Sequence, residues 1–104
     1  TMKTETFSQI NKVIHEKGRM AIMSALAANP EMSFKELKGA LGMTDGNVSV
    51  HIRTLQQAGY VIVSKTFVNN RPHTSYRMTE QGLKAFSEYI DLLEEIVRLN
   101  RESH

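Results

Sequence analysis

Two helix-start signals stand close together in this chain, Ser33-Phe34-Lys35-Glu36 and Thr44-Asp45-Gly46-Asn47, and each is followed by an apolar repeat that soon stops. Serine with glutamate three residues later is a capping box, in which the two residues satisfy each other's free backbone N–H groups. Phe34, Leu37 and Leu41 mark the buried side of about two turns, and Gly42 stands where a helix closes with a left-handed residue. Val48, Ile52 and Leu55, with Tyr60 at the end, mark the next helix, which stops at Gly59. The chain is thereby constrained to two short helices joined by a tight turn.

The second of these helices begins weakly, with glycine and asparagine in its first turn. At about 100° per residue, Val48, Ile52 and Leu55 fall within about 60° of one another, so Gly46, Asn47, Val50, Arg53, Thr54 and Gln57 point away from the core. Ser49 and His51 lie on the flanks. Apart from Val50 this outer face is small or hydrogen-bonding, whereas a face serving solubility alone would be a run of glutamates and lysines. A helix entering the DNA major groove brings its N-terminal backbone close to phosphates and base edges, which glycine permits and free N–H groups favour. Asn47 can pair with adenine, Arg53 can grip guanine or a phosphate, and Val50 can touch a thymine methyl. The competing reading makes Thr44 to Asn47 a turn and helix cap with no further role.

The remaining segments have their own signals. Phe7, Ile10, Val13 and Ile14 predict a helix over about residues 6–15, with Gly18 breaking or bending the chain after it. Met20, Ile22, Met23, Leu26 and Ala27 predict another, ended by Asn29-Pro30, because proline disfavours helical geometry in the residue before it. Residues 60–68 and 74–78 are strand-like around a polar tip, Asn69-Asn70-Arg71-Pro72, which predicts a β-hairpin. Thr79 can cap a final helix of about 22 residues. The fold class is mainly α with a small β-hairpin, in one domain over residues 1–104: a core at about 6–78 and a C-terminal helix at 79–101.

That order of elements is the winged helix-turn-helix arrangement. The run FKELKGALGMTDGNVSVHIRTLQQAGYV followed by FVNNRPHTSYRMTEQGLKAF resembles winged-helix transcriptional regulators of bacteria and archaea, relatives of the MarR and ArsR groups, over about residues 15–90. The resemblance implies sequence-specific binding of double-stranded DNA, with residues 45–58 as recognition helix in the major groove and 65–77 as wing on the flanking backbone or minor groove. The residues it brings to DNA are Thr44, Gly46, Asn47, Ser49, Val50, Arg53, Thr54, Lys65, Arg71 and His73. This wing departs from related ones in having Asn69, Asn70 and His73 where those tend to carry glycine and more arginine or lysine.

Charge agrees with a polyanion partner. Residues 33–78 hold six cations, Lys35, Lys38, Arg53, Lys65, Arg71 and Arg77, against Glu36 and Asp45, whereas carboxylates outnumber cations by three from Thr79 onward. On the last helix Leu83, Phe86, Ile90, Leu93 and Val97 form one apolar stripe and Tyr89, Leu92, Ile96 and Leu99 a second. That width invites a symmetric partner, so a homodimer is expected through Phe7, Ile10, Phe86, Tyr89, Ile90, Leu93, Ile96 and Val97, on an approximately palindromic operator. The alternative packs the long helix back on its own domain. Related regulators commonly place a small-molecule effector near such an interface, which would put Met20, Phe86 or Tyr89 in its wall; core packing is the competing role of each.

Other functions find little support. Without cysteine there are no disulfides, thiolate zinc sites or cysteine nucleophiles, and the four histidines lack metal-ligand spacing, so neither metal nor cofactor is expected. No phosphate loop, nucleophile elbow or metal box announces an enzyme. No apolar run spans a bilayer and no signal peptide starts the chain, which makes a cytoplasmic protein the expectation, with no membrane partner. A winged helix that binds another protein instead of DNA is the alternative function.

Overall fold

The computed structural model describes residues 9–102. Helix α1 spans Lys17–Ala28, strand β1 Met32–Ser33, α2 Phe34–Leu41, α3 Asp45–Gln57, β2 Val61–Val68, β3 Arg71–Met78 and α4 Glu80–Glu102. Each boundary has a local cause. Ser33 and Glu36 form both halves of the expected capping box, and Gly42 closes α2 at φ 62°. Thr44 Oγ1 accepts the Asn47 N–H at 3.2 Å to start α3. Asn29, held extended before Pro30, ends α1.

The three-stranded antiparallel sheet has the order β1-β3-β2. β1 pairs Met32 with Tyr76 and Ser33 with Ser75. Sequence reasoning missed this strand because two residues carry no period to detect. The hairpin also differs from expectation at its tip. Its turn is only Asn69-Asn70, at φ 54° and 63°, a left-handed pair of the kind two-residue hairpins require and asparagine tolerates. Arg71 and Pro72 therefore belong to β3, paired with Val68 and Phe67. Because the pair closing such a turn is hydrogen-bonded, the next pair, Phe67–Pro72, is not, and proline removes no bond to β2.

The predicted helix over residues 6–15 is a further correction. Residues 6–8, and with them the expected interface residue Phe7, lie outside the described residues; residues 9–16 form turns, not helix. Asn11 Oδ1 accepts the N–H groups of Val13 and Ile14 at 2.9 and 3.1 Å, a side-chain bond that competes with helical pairing. Gly18 lies inside α1, not at a break before it.

Ile14, Ile22, Met23, Leu26, Met32, Leu37, Val48, Ile52, Leu55, Val61 and Tyr89 form the buried core, drawn from almost every element. Burying a side chain of this size stabilises by about 1.5–3 kcal/mol. The N-terminal end of α4 is tightly joined to this body. Thr79 Oγ1 donates to the Gly59 carbonyl and accepts the Gly82 N–H, and a Cβ at Gly82 would overlap the Tyr60 carbonyl oxygen. The helix then runs about 34 Å at 1.5 Å per residue, in a molecule of 58 by 25 by 21 Å. Leu83 and Val97, 52% and 47% exposed, remain outside the core.

Candidate nucleic-acid interface

Helix α3 is amphipathic in the sense its sequence demands. Val48, Ile52 and Leu55 are sunk in the core, while Gly46, Asn47, Ser49, Val50, Arg53 and Gln57 are exposed. Val50 is 56% exposed, an apolar residue at the centre of an open polar face. A Cβ built on Gly46 meets nothing within 4 Å, and its φ is not left-handed, so nothing in the protein requires glycine there; Gly39 on α2 is equally open. Thr54 is half-buried and donates its hydroxyl to the Val50 carbonyl at 3.1 Å, leaving its oxygen free to accept. Thr44 is exposed beside the first turn, its hydroxyl oxygen committed to the cap. Lys38 and Asp45 pair at 2.7 Å across the turn between α2 and α3, a surface pair of small energetic weight.

On the hairpin, alternation puts Lys65 and Phe67 on one face with Pro72 and Thr74, and Thr66 and Val68 on the other with Arg71 and His73. Lys65 and Arg71 are exposed and His73 is half-buried. Among the described residues, none of Arg53, Lys65 and Arg71 is paired with a carboxylate, so all three cations are available. No aspartate or glutamate occurs between residues 46 and 78; the carboxylates nearest the hairpin are Glu31, which accepts from the Ser75 hydroxyl, and Glu36, on the side of His73, both toward β1 and away from Lys65 and Arg71 at the tip.

A contact that sequence reasoning missed holds α3 from behind. His51, expected on the flank of the helix, has a side chain only 18% exposed and lies against the start of α1. Its Nε2 is 3.4 Å from Glu16 Oε1, and its Nδ1 is 3.3 Å from Arg19 Nη1. Since a guanidinium only donates, Nδ1 accepts, and the imidazole proton sits on Nε2 facing the carboxylate. Glu16 also caps α1, and the Arg19 backbone N–H it accepts is the main reason its carboxyl is held below the usual glutamate value; burial opposes this, and the nearby His51 adds to the lowering. The ring of His51 packs so close to α1 that a Cβ on Gly18 would stand 2.5 Å from Cδ2. A cleft of about 340 Å³ opens beside this contact, between the first turns of α1 and α3, with Lys17, Thr44, Asn47 and His51 in its wall. The partners of His51 are more than 30 residues away in the chain, so no local spacing announced them.

The expected interface residues divide. Tyr89 is 2% exposed and packs inside the protomer, its hydroxyl 2.8 Å from His15 Nδ1 and donating to Met20 Sδ at 3.2 Å, with Phe86 stacked beside it. Burial raises its pKa. Of the residues named above for an effector wall, Tyr89 thus packs within the domain, while Met20 is 37% exposed beside it. Ile10, Phe86, Ile90 and Leu93 are half-buried against the core, Ile96 is half-buried further along, and Val97 is exposed. Beyond Ile90, an open apolar groove follows Leu93 and Val97 with Glu94, Arg98 and Arg101 along its rim. Among the described residues no cluster of histidine and carboxylate is placed to hold a metal, and no helix is long and apolar enough to cross a membrane.

Comparison with known proteins accords with this geometry. An uncharacterized protein of Methanocaldococcus jannaschii is 32% identical over 79 residues, covering 76% of this chain and 86% of that protein. The structure of a transcriptional regulator homologue from Pyrococcus horikoshii superposes with a TM-score of 0.84 at 26% identity, over 91% of this chain and 96% of that one. A structure from Enterococcus faecalis, assigned to the MarR family of transcriptional regulators, shares the fold at a TM-score of 0.78 and 20% identity, over 99% of this chain and 93% of that one. Residues 19–97 match the winged helix DNA-binding domain family, and the chain belongs to it.

Proposed function

We propose that the protein is a transcriptional regulator that binds double-stranded DNA as a homodimer, through one winged-helix domain per subunit. Helix α3 lies in the major groove, with Gly46 and Asn47 nearest the bases, Val50 one turn on, Arg53 a turn further, and Thr44, Ser49 and Thr54 beside them. The hairpin lies on the flanking backbone or minor groove, with Lys65, Arg71 and His73 toward phosphates. The observation that carries this reading is the outer face of α3: open, small, hydrogen-bonding and cationic, on a helix whose other face is fully buried. Its position is set from within by the core and from behind by His51, as a reading element must be.

The distal part of α4 supports the dimer. Leu93 and Val97 lie in an apolar groove that the protomer does not cover, and a second copy of the same helix supplies a matching surface. Two α3 helices related by a two-fold axis read half-sites about one DNA turn apart. Selection of bound duplexes from a random-sequence pool tests this. The selected sites should converge on an inverted repeat with half-sites about 10 base pairs apart, centre to centre; convergence on a single asymmetric half-site would overturn the symmetric dimer, and no enrichment would overturn sequence-specific binding.

A further inference from the structure

The hairpin carries an apolar tip that phosphate binding does not use. Phe67 is 77% exposed and Val68 51%, beyond the reach of the core, with Pro72 beside Phe67 on the same face. Each face of the ribbon near its tip joins apolar surface to one unpaired cation: Lys65 with Phe67 and Pro72 on one side, Arg71 with Val68 on the other. We propose, resting on the DNA-binding reading, that the tip enters the minor groove as an apolar wedge. Phe67 presses on sugars and base edges, Lys65 and Arg71 face the phosphates of the two opposite walls, and the duplex bends away from the wedge.

Charge complementarity selects this occupant. A second copy of the tip would bring like charges together with no carboxylate between residues 46 and 78 to relieve them, whereas a groove walled by phosphate accepts a cation on each face. The short Asn69-Asn70 turn keeps the tip narrow, and the minor groove is only about 6 Å wide, so entry requires widening or bending. Apolar side chains inserted beside base steps partly unstack them and kink the duplex, a cost offset by the added contact. With so few cations in the wing, its counterion release is small, and an apolar contact supplies binding that salt does not screen.

The test uses the full chain with a mixed-sequence duplex carrying a fluorescence donor and acceptor at its ends, over a salt series. Wild type should bind and raise energy transfer by bending the duplex. Phe67→Ser should bind about tenfold more weakly and lose the bend, while the slope of affinity against salt stays unchanged. Phe67→Leu, still apolar, should keep most of both, and Arg71→Ala should instead reduce the slope by about one phosphate. Since Phe67 lies outside the core, thermal melting of these variants should match wild type. Equal affinity and equal energy transfer for Phe67→Ser and wild type would overturn the wedge while leaving DNA binding intact. A sedimentation mass that falls for Phe67→Ser would assign the tip to contact between copies and overturn it too. Absence of wild-type binding at low salt would defeat the DNA reading itself, a distinct result.

Discussion

Helices α3 and α4 are both amphipathic, but what each leaves outside the core differs in kind. Outside α3 lie Gly46, Asn47, Ser49, Arg53 and Gln57 around a single valine; outside α4 lie Leu83 and Val97 among carboxylates. A hydrogen-bonding face with available cations complements base edges and phosphates, while an apolar stripe rimmed by charge complements protein. The two helices also differ in how they are held. α3 is fixed along its length by Val48, Ile52 and Leu55 and pinned by His51, whereas α4 is held from Thr79 and Gly82 through Tyr89 to Leu93 and runs on beyond that contact. A reading helix needs a rigid seat, and a helix that joins two copies needs reach.

This contrast breaks most readily at the buried sites. Leu55→Ala should destabilise by about 2–5 kcal/mol, since the side chain is fully buried and leaves a cavity, whereas Val97→Ala on the distal part of α4 should cost the isolated protomer far less. Chemical denaturation of both variants checks this; a comparable loss for Val97→Ala at low concentration would mean that the distal helix is packed within the protomer. Gly18→Ala comes next. Its new methyl group meets His51 head-on, so the variant should lose about 1–3 kcal/mol of stability by overpacking, and its DNA affinity should fall as α3 is displaced. Retained affinity would show that the contact behind α3 does not position it. Val97→Asp places a charge in the apolar groove and should yield monomers in sedimentation where wild type is dimeric; an unchanged mass would move the interface elsewhere. Thr44→Ala removes the cap of α3 and should cost about 1 kcal/mol.

The smallest expected effect is on pH. The Ser33 backbone N–H and then its hydroxyl hold Glu36 below the usual glutamate value, and the Arg19 N–H does the same for Glu16. A carboxyl whose folded-state pKa is depressed adds stability that is fully present above its unfolded value and is lost as pH falls through the folded one. Glu36 is exposed and Glu16 is half-buried at the surface, so the loss is slight. Melting curves for Glu36→Gln should show a weaker acid dependence than wild type, and identical curves would remove Glu36 as a contributor.

What was legible in the sequence was what is local. The capping box at Ser33, the Thr44 cap, the left-handed Gly42 and the inward and outward faces of α3 each depend on residues within a few positions of one another, and the structure has them where spacing put them. Three features depend on distant partners and were not legible. Strand β1 exists because β3 offers it an edge, and Met32-Ser33 alone has no strand signature. The contact of His51 with Glu16 and Arg19 joins separate helices. Tyr89 shares the apolar pattern of α4 with residues on its open face, and only the packing of His15, Met20 and Phe86 around it separates core from surface. The expected first helix is absent over residues 9–16 because Asn11 gives its side chain to the backbone ahead of it, a local effect that apolar periodicity does not register. The candidate DNA face was legible in kind because exposure and charge were; its support from behind was not.

The central claim is that the outer face of α3, with the hairpin, binds DNA. Fluorescence anisotropy of a labelled duplex, titrated across a salt series with wild type, Arg53→Ala and Arg71→Ala, tests it most directly. Affinity should fall steeply with salt, and each substitution should weaken binding further and lower the salt slope by about one. Binding that neither substitution alters, or no binding at low salt, would contradict the account and turn attention to a protein partner for the same face.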